Sequence, residues 1–282
     1  MTYHIIENDF QRNQASAYQL SILVGMDSLV YSVYDDHTNK LLVLKSLAFS
    51  SGANENSAVG SLKDVLKKED LLEPLYRRVK IALAHTTSSL VPERLYNEQE
   101  KHTYLEELVH APNKIDVASD ELSPLKIRAV YGVDKSLVAT LKSKFPTAHI
   151  FGIAAPFLLG CHKLIPEGAV ETAFACIHQN TFQFALFEKG DLLFYNQFSF
   201  KSSSDILYFC LLSFEQYGLD PNTVPLYISG QVTKDAEIYK LLYRYIGQIT
   251  FLSTPSFIRL GRNASSVDPN FLFPLHSLLL CK

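Results

Sequence analysis

The residues with the plainest capacity for chemistry form a row, Glu98, His102, Glu106 and His110, each four positions from the next. On an α-helix that spacing stacks them on one face, where an imidazole and a carboxylate one turn apart could bind a divalent cation. No His-Glu-x-x-His pattern accompanies the row and no third ligand is evident elsewhere, so it reads as a solvated charged face. Cys161 and His162 are adjacent in sequence, and adjacent side chains on a helix diverge, which removes them as a nucleophile–base pair. His85, followed by Thr86 and Thr87, ends an apolar run and is of the type that takes a proton near neutral pH; the plainer reading is a polar strand end. Ser229-Gly230-Gln231 also ends an apolar run and reads as a strand-to-helix turn with small residues at a tight bend. The sequence contains no G-x-x-x-x-G-K-[ST], no G-x-G-x-x-G and no G-x-S-x-G, and none of its 12 glycines are adjacent, so P-loop, Rossmann and α/β-hydrolase chemistry lack support. No catalytic residue and no metal site are assigned.

The elements that must position these residues belong to an ordinary globular chain of 282 residues, 47% hydrophobic and 20% charged. Lys plus Arg number 26 and Asp plus Glu 29, which leaves no cationic surplus for a nucleic acid backbone, and Arg77-Arg78 beside Lys80 is too short a run to supply one. No apolar run approaches the ~20 residues that cross a bilayer, and the first ten residues lack the pattern of a secretory signal. The four cysteines are widely spaced, with no CxxC pair. Reduced, buried thiols and a cytoplasmic location are therefore expected, rather than a disulfide framework or a zinc site.

Beyond a polar N-terminal tail through Ala17, expected to lie over the surface, alternating apolar residues predict strands over 18–24, 29–34 and 41–49, joined by the tight turns 25–28 and 35–40. A helix over 57–69, with Ala58, Leu62, Val65 and Leu66 as its apolar stripe, and a strand over 78–84 follow. Residues 85–133 are less regular: a helix from Asn97 to Val109, strands at 115–118 and 125–131, and a hairpin turn at 119–124. Asp134 is expected to cap a helix to Lys144, followed by a strand at 149–153 and a helix at 156–164. The pattern then restarts. Strands are predicted over 170–177, 182–187 and 192–200, then a helix over 205–217 capped by the Ser202-Ser203-Ser204 run, a strand over 224–228, a helix over 234–246 capped by Thr233, and a strand over 248–252. The apolar segment Phe271–Leu280 is expected to pack back onto the protein.

Both halves thus read β-β-β-α-β-α-β-α, the first carrying the extra residues, and the boundaries expected are 1–168, with an insertion at about 86–133, and 169–282. This duplicated α/β order resembles the actin-like ATPase fold, in which two ribonuclease-H-like halves face a nucleotide cleft. An insertion in the first half is similar to the bacterial cell-division and pilus-assembly branch. Over most of its length, Thr86–Leu95 with Leu90-Val91-Pro92 included, the chain also resembles an uncharacterised Bacteroidetes family to which an actin-like fold is attributed.

The resemblance implies that two turns grip phosphates and a third holds adenosine. The first should have an acid at the end of its strand, to hold Mg²⁺-bound water, and then glycines. Here Leu23 stands at that place, and Gly25-Met26-Asp27-Ser28 keeps one glycine with Asp27 shifted into the turn. The second, His178-Gln179-Asn180-Thr181, has neither acid nor glycine, although Asn180 is of a type that tolerates the left-handed conformation. The third, Ser229-Gly230-Gln231, is better kept. His85 stands where the attacking water would be positioned. The expectation is a non-catalytic interaction scaffold with a degenerate nucleotide cleft, no cofactor, and another protein as partner. The alternative is a divergent ATP- and Mg-binding protein of the pilus-assembly type. A kinase-type member would need a cleft acid that the sequence does not offer.

Overall fold

The computed structural model describes residues 3–49, 55–84, 86–106, 108 and 114–282. They divide into two units: Met1–Pro156 with Ser256–Val267 and Leu275–Lys282, and Phe157–Pro255 with Asp268–Pro274.

In unit 1, β1 (His4–Ile6) precedes a meander of β2 (Tyr18–Val24), β3 (Ser28–Asp35) and β4 (Leu41–Ala48), then α1 (Glu55–Lys68) and β5 (Arg78–Leu83). An inserted antiparallel sheet of β6 (Ser88–Pro92), β7 (Ile115–Leu122) and β8 (Ile127–Asp134) has the order β6-β8-β7. It is followed by α2 (Lys135–Lys144), β9 (His149–Gly152) and α3 (Ala154–Leu164), within which the division between units falls. The main sheet runs β1-β4-β3-β2-β5-β9, with β5 parallel to β2 and β9 and the other pairs antiparallel. Period-two alternation sorts its residues by face. Leu20, Ile22, Val33 and Ile81 join the core that Leu62 and Leu66 of α1 complete. Residues of opposite parity, Ser21, Ser32, Tyr34 and Lys80, are buried on the other face. Helix α2 begins where the sequence predicts, with Asp134 Oδ1 accepting from the Leu137 N–H at 2.8 Å.

Unit 2 repeats the order. β10 (Glu171–His178), β11 (Thr181–Glu188) and β12 (Asp191–Ser199) form a meander, followed by α4 (Ser203–Gln216), β13 (Leu226–Gly230), α5 (Glu237–Leu242) and β14 (Ile249–Phe251). The sheet runs β12-β11-β10-β13-β14, with β13 parallel to β10 and β14. Lys189 and Gly190, both at positive φ, make the two-residue hairpin between β11 and β12. Ser202 and Asp205 form a reciprocal capping box on α4. Residues 253–282 add the short helix α6 (Phe273–Ser277), and Phe273, Leu275 and Leu278 are buried, so the terminal apolar segment does pack back.

Several expectations are corrected. The N-terminal tail is largely exposed, as expected, and it also extends the main sheet through β1, with buried Glu7 accepting from the Ala264 N–H at 2.8 Å. The helix expected at 97–109 is replaced, among the described residues, by 3₁₀ turns at Glu98–Glu100 and Thr103–Leu105. Side-chain packing overrides the helical spacing there. Tyr96 and Tyr104 stack at 5.8 Å, and the Tyr104 hydroxyl donates to the Leu95 carbonyl and accepts from the Asn97 N–H. Glu98, His102 and Glu106 therefore do not share a helix face, while Val109 and His110 lie outside the described residues. Residues 88–92 are a strand that the sequence reading does not propose. Nor do residues 119–124 form a hairpin turn; β7 continues to Leu122 and the turn is made at 123–126, with Lys126 at φ 55°. Helix α5 is short and begins after Ala236 rather than Thr233. Its C-terminal end tightens into i→i+3 bonds at Arg244 and Tyr245, and Gly247 then packs where any Cβ would lie 2.3 Å from the Asn222 carbonyl oxygen. Among the described residues no helix is long and apolar enough to cross a membrane.

Candidate functional site

The first turn, between β2 and β3, is closed by its own backbone. The Gly25 N–H donates to the Ser28 carbonyl at 2.8 Å, the Asp27 carbonyl accepts from the Phe49 N–H at 2.7 Å, and the Ser28 hydroxyl donates to Asp27 Oδ1 at 2.9 Å. Met26 and Asp27 are exposed. Gly25 is not at a positive φ, and a Cβ there would lie 3.2 Å from the Ser28 carbonyl oxygen, tight but relieved by a small shift. The position does not demand glycine. At the end of β5, His85 lies outside the described residues. Beside it Thr86 is buried, its hydroxyl donating to the Leu83 carbonyl at 3.4 Å and accepting from the Ile153 N–H at 3.2 Å, which ties the ends of β5 and β9 together.

In unit 2 the turn His178–Thr181 and the turn Ser229–Gln231 come together. Gln179, not Asn180, takes the left-handed conformation, at φ 51°. Its N–H donates to Gln231 Oε1 at 3.3 Å, so a side chain of the third turn occupies a backbone donor of the second. The Asn180 carbonyl accepts from the Phe200 N–H at 2.9 Å, and the Thr181 hydroxyl donates to the His178 carbonyl at 3.2 Å. Ser229 points into the sheet: it is fully buried and its hydroxyl donates to the Ala175 carbonyl at 3.2 Å. Gly230, at φ 90°, is compelled to be glycine, because a Cβ would fall 2.0 Å from the Ile177 carbonyl oxygen.

Two groups that sequence reasoning missed shape these regions. Asn270, fully buried, donates through Nδ2 to the carbonyls of Gly230 and Val232 at 3.2 and 3.1 Å and clamps the third turn. The only signal for it was Asp268-Pro269, a helix-start pattern, and Asp268 does cap the short 3₁₀ helix that carries Asn270. In unit 1, buried Asp120 accepts from the Gly152 N–H at 2.9 Å and shares the Tyr131 hydroxyl at 3.0 Å; that hydroxyl also lies 3.1 Å from the Ile150 carbonyl. Burial pushes the Asp120 carboxyl up to about 7, against the pull of its two hydrogen bonds. In the protonated form the acid donates to the Tyr131 hydroxyl, which then donates to the Ile150 carbonyl, so every partner is satisfied. Asp120 lines a groove of about 570 Å³ with Arg128, Tyr131, Lys142 and His149. Among the described residues no cluster of three or more His, Cys, Asp or Glu could hold a metal ion.

Solved structures place this arrangement. The chain superposes on a Bacteroides thetaiotaomicron protein with an actin-like ATPase fold and unknown function at a TM-score of 0.82, with 20% identity over 97% of this chain and 99% of that one. It is similar to the PilM–PilN type IV pilus biogenesis complex at a TM-score of 0.61, with 14% identity over 93% and 96%. A third likeness, to the ethanolamine utilization protein EutJ from Carboxydothermus hydrogenoformans, has a TM-score of 0.51 and 10% identity over 98% and 93%. The fold is therefore that of the actin-like ATPases. The chain belongs to the family described as "Protein of unknown function (DUF3822)", which it matches over residues 7–249. No curated relative matches by sequence.

Proposed function

We propose that this protein is a non-catalytic member of the actin-like fold that acts by binding another protein, with nucleotide-gripping turns that no longer grip. The hydrogen bond from the Gln179 N–H to Gln231 Oε1 carries the reading, because the backbone donor that would approach a phosphate is already capped by the protein's own side chain. Leu23 in place of an acid and the inward-facing Ser229 point the same way, since Mg²⁺-bound water needs carboxylates. PilM, a member of the same fold, is seen in complex with PilN, which supports protein binding as a use of the scaffold. No cofactor is expected, and we place the protein in the cytoplasm, in keeping with four buried free cysteines.

A second reading, a divergent ATP-binding protein of the pilus-assembly type, is favoured by one observation: the left-handed Gly230 preserves a tight strand-to-helix turn of the kind that holds adenosine. Titration calorimetry with Mg·ATP and with ADP separates the two. No heat of binding at millimolar nucleotide is expected, and micromolar binding would overturn the scaffold reading in favour of the second.

A further inference from the structure

The segment Leu275–Lys282 covers a polar patch of unit 1. Ser21, Ser32, Tyr34 and Lys80 lie on one face of the main sheet, where Ser21 is paired with both Ser32 and Lys80, and all four are buried. Two anchors tie the segment to them. Lys80 Nζ donates to the carbonyls of Leu279 and Cys281 at 3.1 and 2.5 Å, and the Tyr34 hydroxyl meets His276 Nδ1 at 2.6 Å. Leu275, Leu278 and Cys281 are buried beside them. The seam is nonetheless imperfect, because His276 Nε2 and the Ser277 hydroxyl are buried without a protein partner. Each such group opposes docking, since water would satisfy it in the released segment.

We propose that Leu275–Lys282 is an acid-released strap, docked on the polar face of this sheet while His276 is neutral and detached when its imidazole takes up a proton. The groups that face it offer an imidazolium no counter-charge. From β3 comes the Tyr34 hydroxyl, whose ionisation burial suppresses, and from β5 the Lys80 ammonium, a like charge. Within the strap, burial pushes the Cys281 thiol up to about 12. Asp120 and Tyr131 of the insertion act on Cys281, and below about pH 7 Asp120 is itself uncharged. Burial alone holds the docked His276 down to about 3, against about 6.5 when exposed. Below pH ~6.5 the released strap binds a proton that the docked strap does not, so docking weakens about tenfold per pH unit.

Cys281 leaves with the strap, whereas the other three cysteines, Cys161, Cys176 and Cys210, lie buried in unit 2 and serve as internal controls. The test is labelling of the native full chain with a dipyridyl disulfide from pH 7.5 to 4.5, located by mass spectrometry. Each rate is divided by that of the denatured chain at the same pH. The Cys281 ratio is expected to rise about tenfold per pH unit below ~6.5 while the unit 2 ratios stay level. His276→Gln should abolish that slope. Tyr34→Phe, which keeps the imidazole, should raise the Cys281 ratio at every pH with the slope retained, and stands in if His276→Gln does not fold. A pH-independent Cys281 ratio in the parent, a common rise at all four cysteines, or a slope that survives His276→Gln would overturn the proposal.

Discussion

The meander β2–β4 of unit 1 and the meander β10–β12 of unit 2 repeat one strand order with different chemistry. In unit 2 both faces of the central strands are apolar, and small residues oppose large ones across the ladder: Phe174 pairs with Ala185, and Ala175 with Phe184. Alternating small and large residues across facing positions is how cores reach interior packing density. A stack of Phe182 and Phe198 with Phe209 of α4 continues it, with Phe198 and Phe209 at 4.3 Å. In unit 1 one face is apolar and the other carries Ser21, Ser32, Tyr34 and Lys80, of which Tyr34 and Lys80 take their hydrogen bonds from a covering segment. The turns differ in the same sense. Gly230 is wedged against the Ile177 backbone, whereas a Cβ at Gly25 would meet the Ser28 carbonyl oxygen at 3.2 Å, a tight contact that a small shift relieves. A repeated backbone topology therefore does not repeat the constraints on its turns; the packing against each turn sets them.

The contrast is broken most severely at the two glycines. Gly230→Ala is expected to cost more than ~3 kcal/mol, from a strained φ and a backbone collision, and to leave unit 2 largely unfolded in denaturant titrations followed by circular dichroism. Gly25→Ala should cost under ~1 kcal/mol in the same measurement. Equal losses would show that the two turns are constrained alike.

A smaller effect, but one with a distinctive pH dependence, is expected at Asp120. Its carboxyl holds a proton in the folded state up to about pH 7 and in the unfolded chain only up to about 4, so stability falls as pH rises through that window and levels off above it. Asp120→Asn should match the parent near pH 4 and exceed it by on the order of 2 kcal/mol at pH 8, read by urea unfolding at both pH values. An Asn variant less stable than the parent at pH 8 would mean that the fold favours the carboxylate and that burial does not raise it. The smallest change is expected at Gln231→Ala, which removes the hydrogen bond from the Gln179 N–H on an exposed turn and should lower stability by less than ~1 kcal/mol. If that variant gains binding to Mg·ATP in calorimetry, the capped turn is what blocks nucleotide.

The sequence carried the elements whose signals are local. The alternation in 18–24, the Asp134 cap and the Ser202–Asp205 box each state their structure within a few residues, and the repeated order disclosed the fold. It misled where tertiary packing outvoted local pattern. The charged row at 98–110 has helical spacing, yet stacked tyrosines hold its described part in 3₁₀ turns. Ser119-Asp120-Glu121 has the composition of a turn, but it lies within β7 because Asp120 finds Gly152 and Tyr131 as partners.

What the sequence by itself determined is the succession of strands and helices, their duplication, and the absence of an acid at Leu23 and of acid and glycine at His178–Thr181, since residue identity and short-range periodicity suffice for these. Only the tertiary structure decided which polar groups are buried and with whom. Lys80 meets Cys281 from 201 residues away and Tyr34 meets His276 from 242, and no local pattern encodes such a pairing. A buried polar group is stable only beside its partner, and the partner's position is a property of the completed fold.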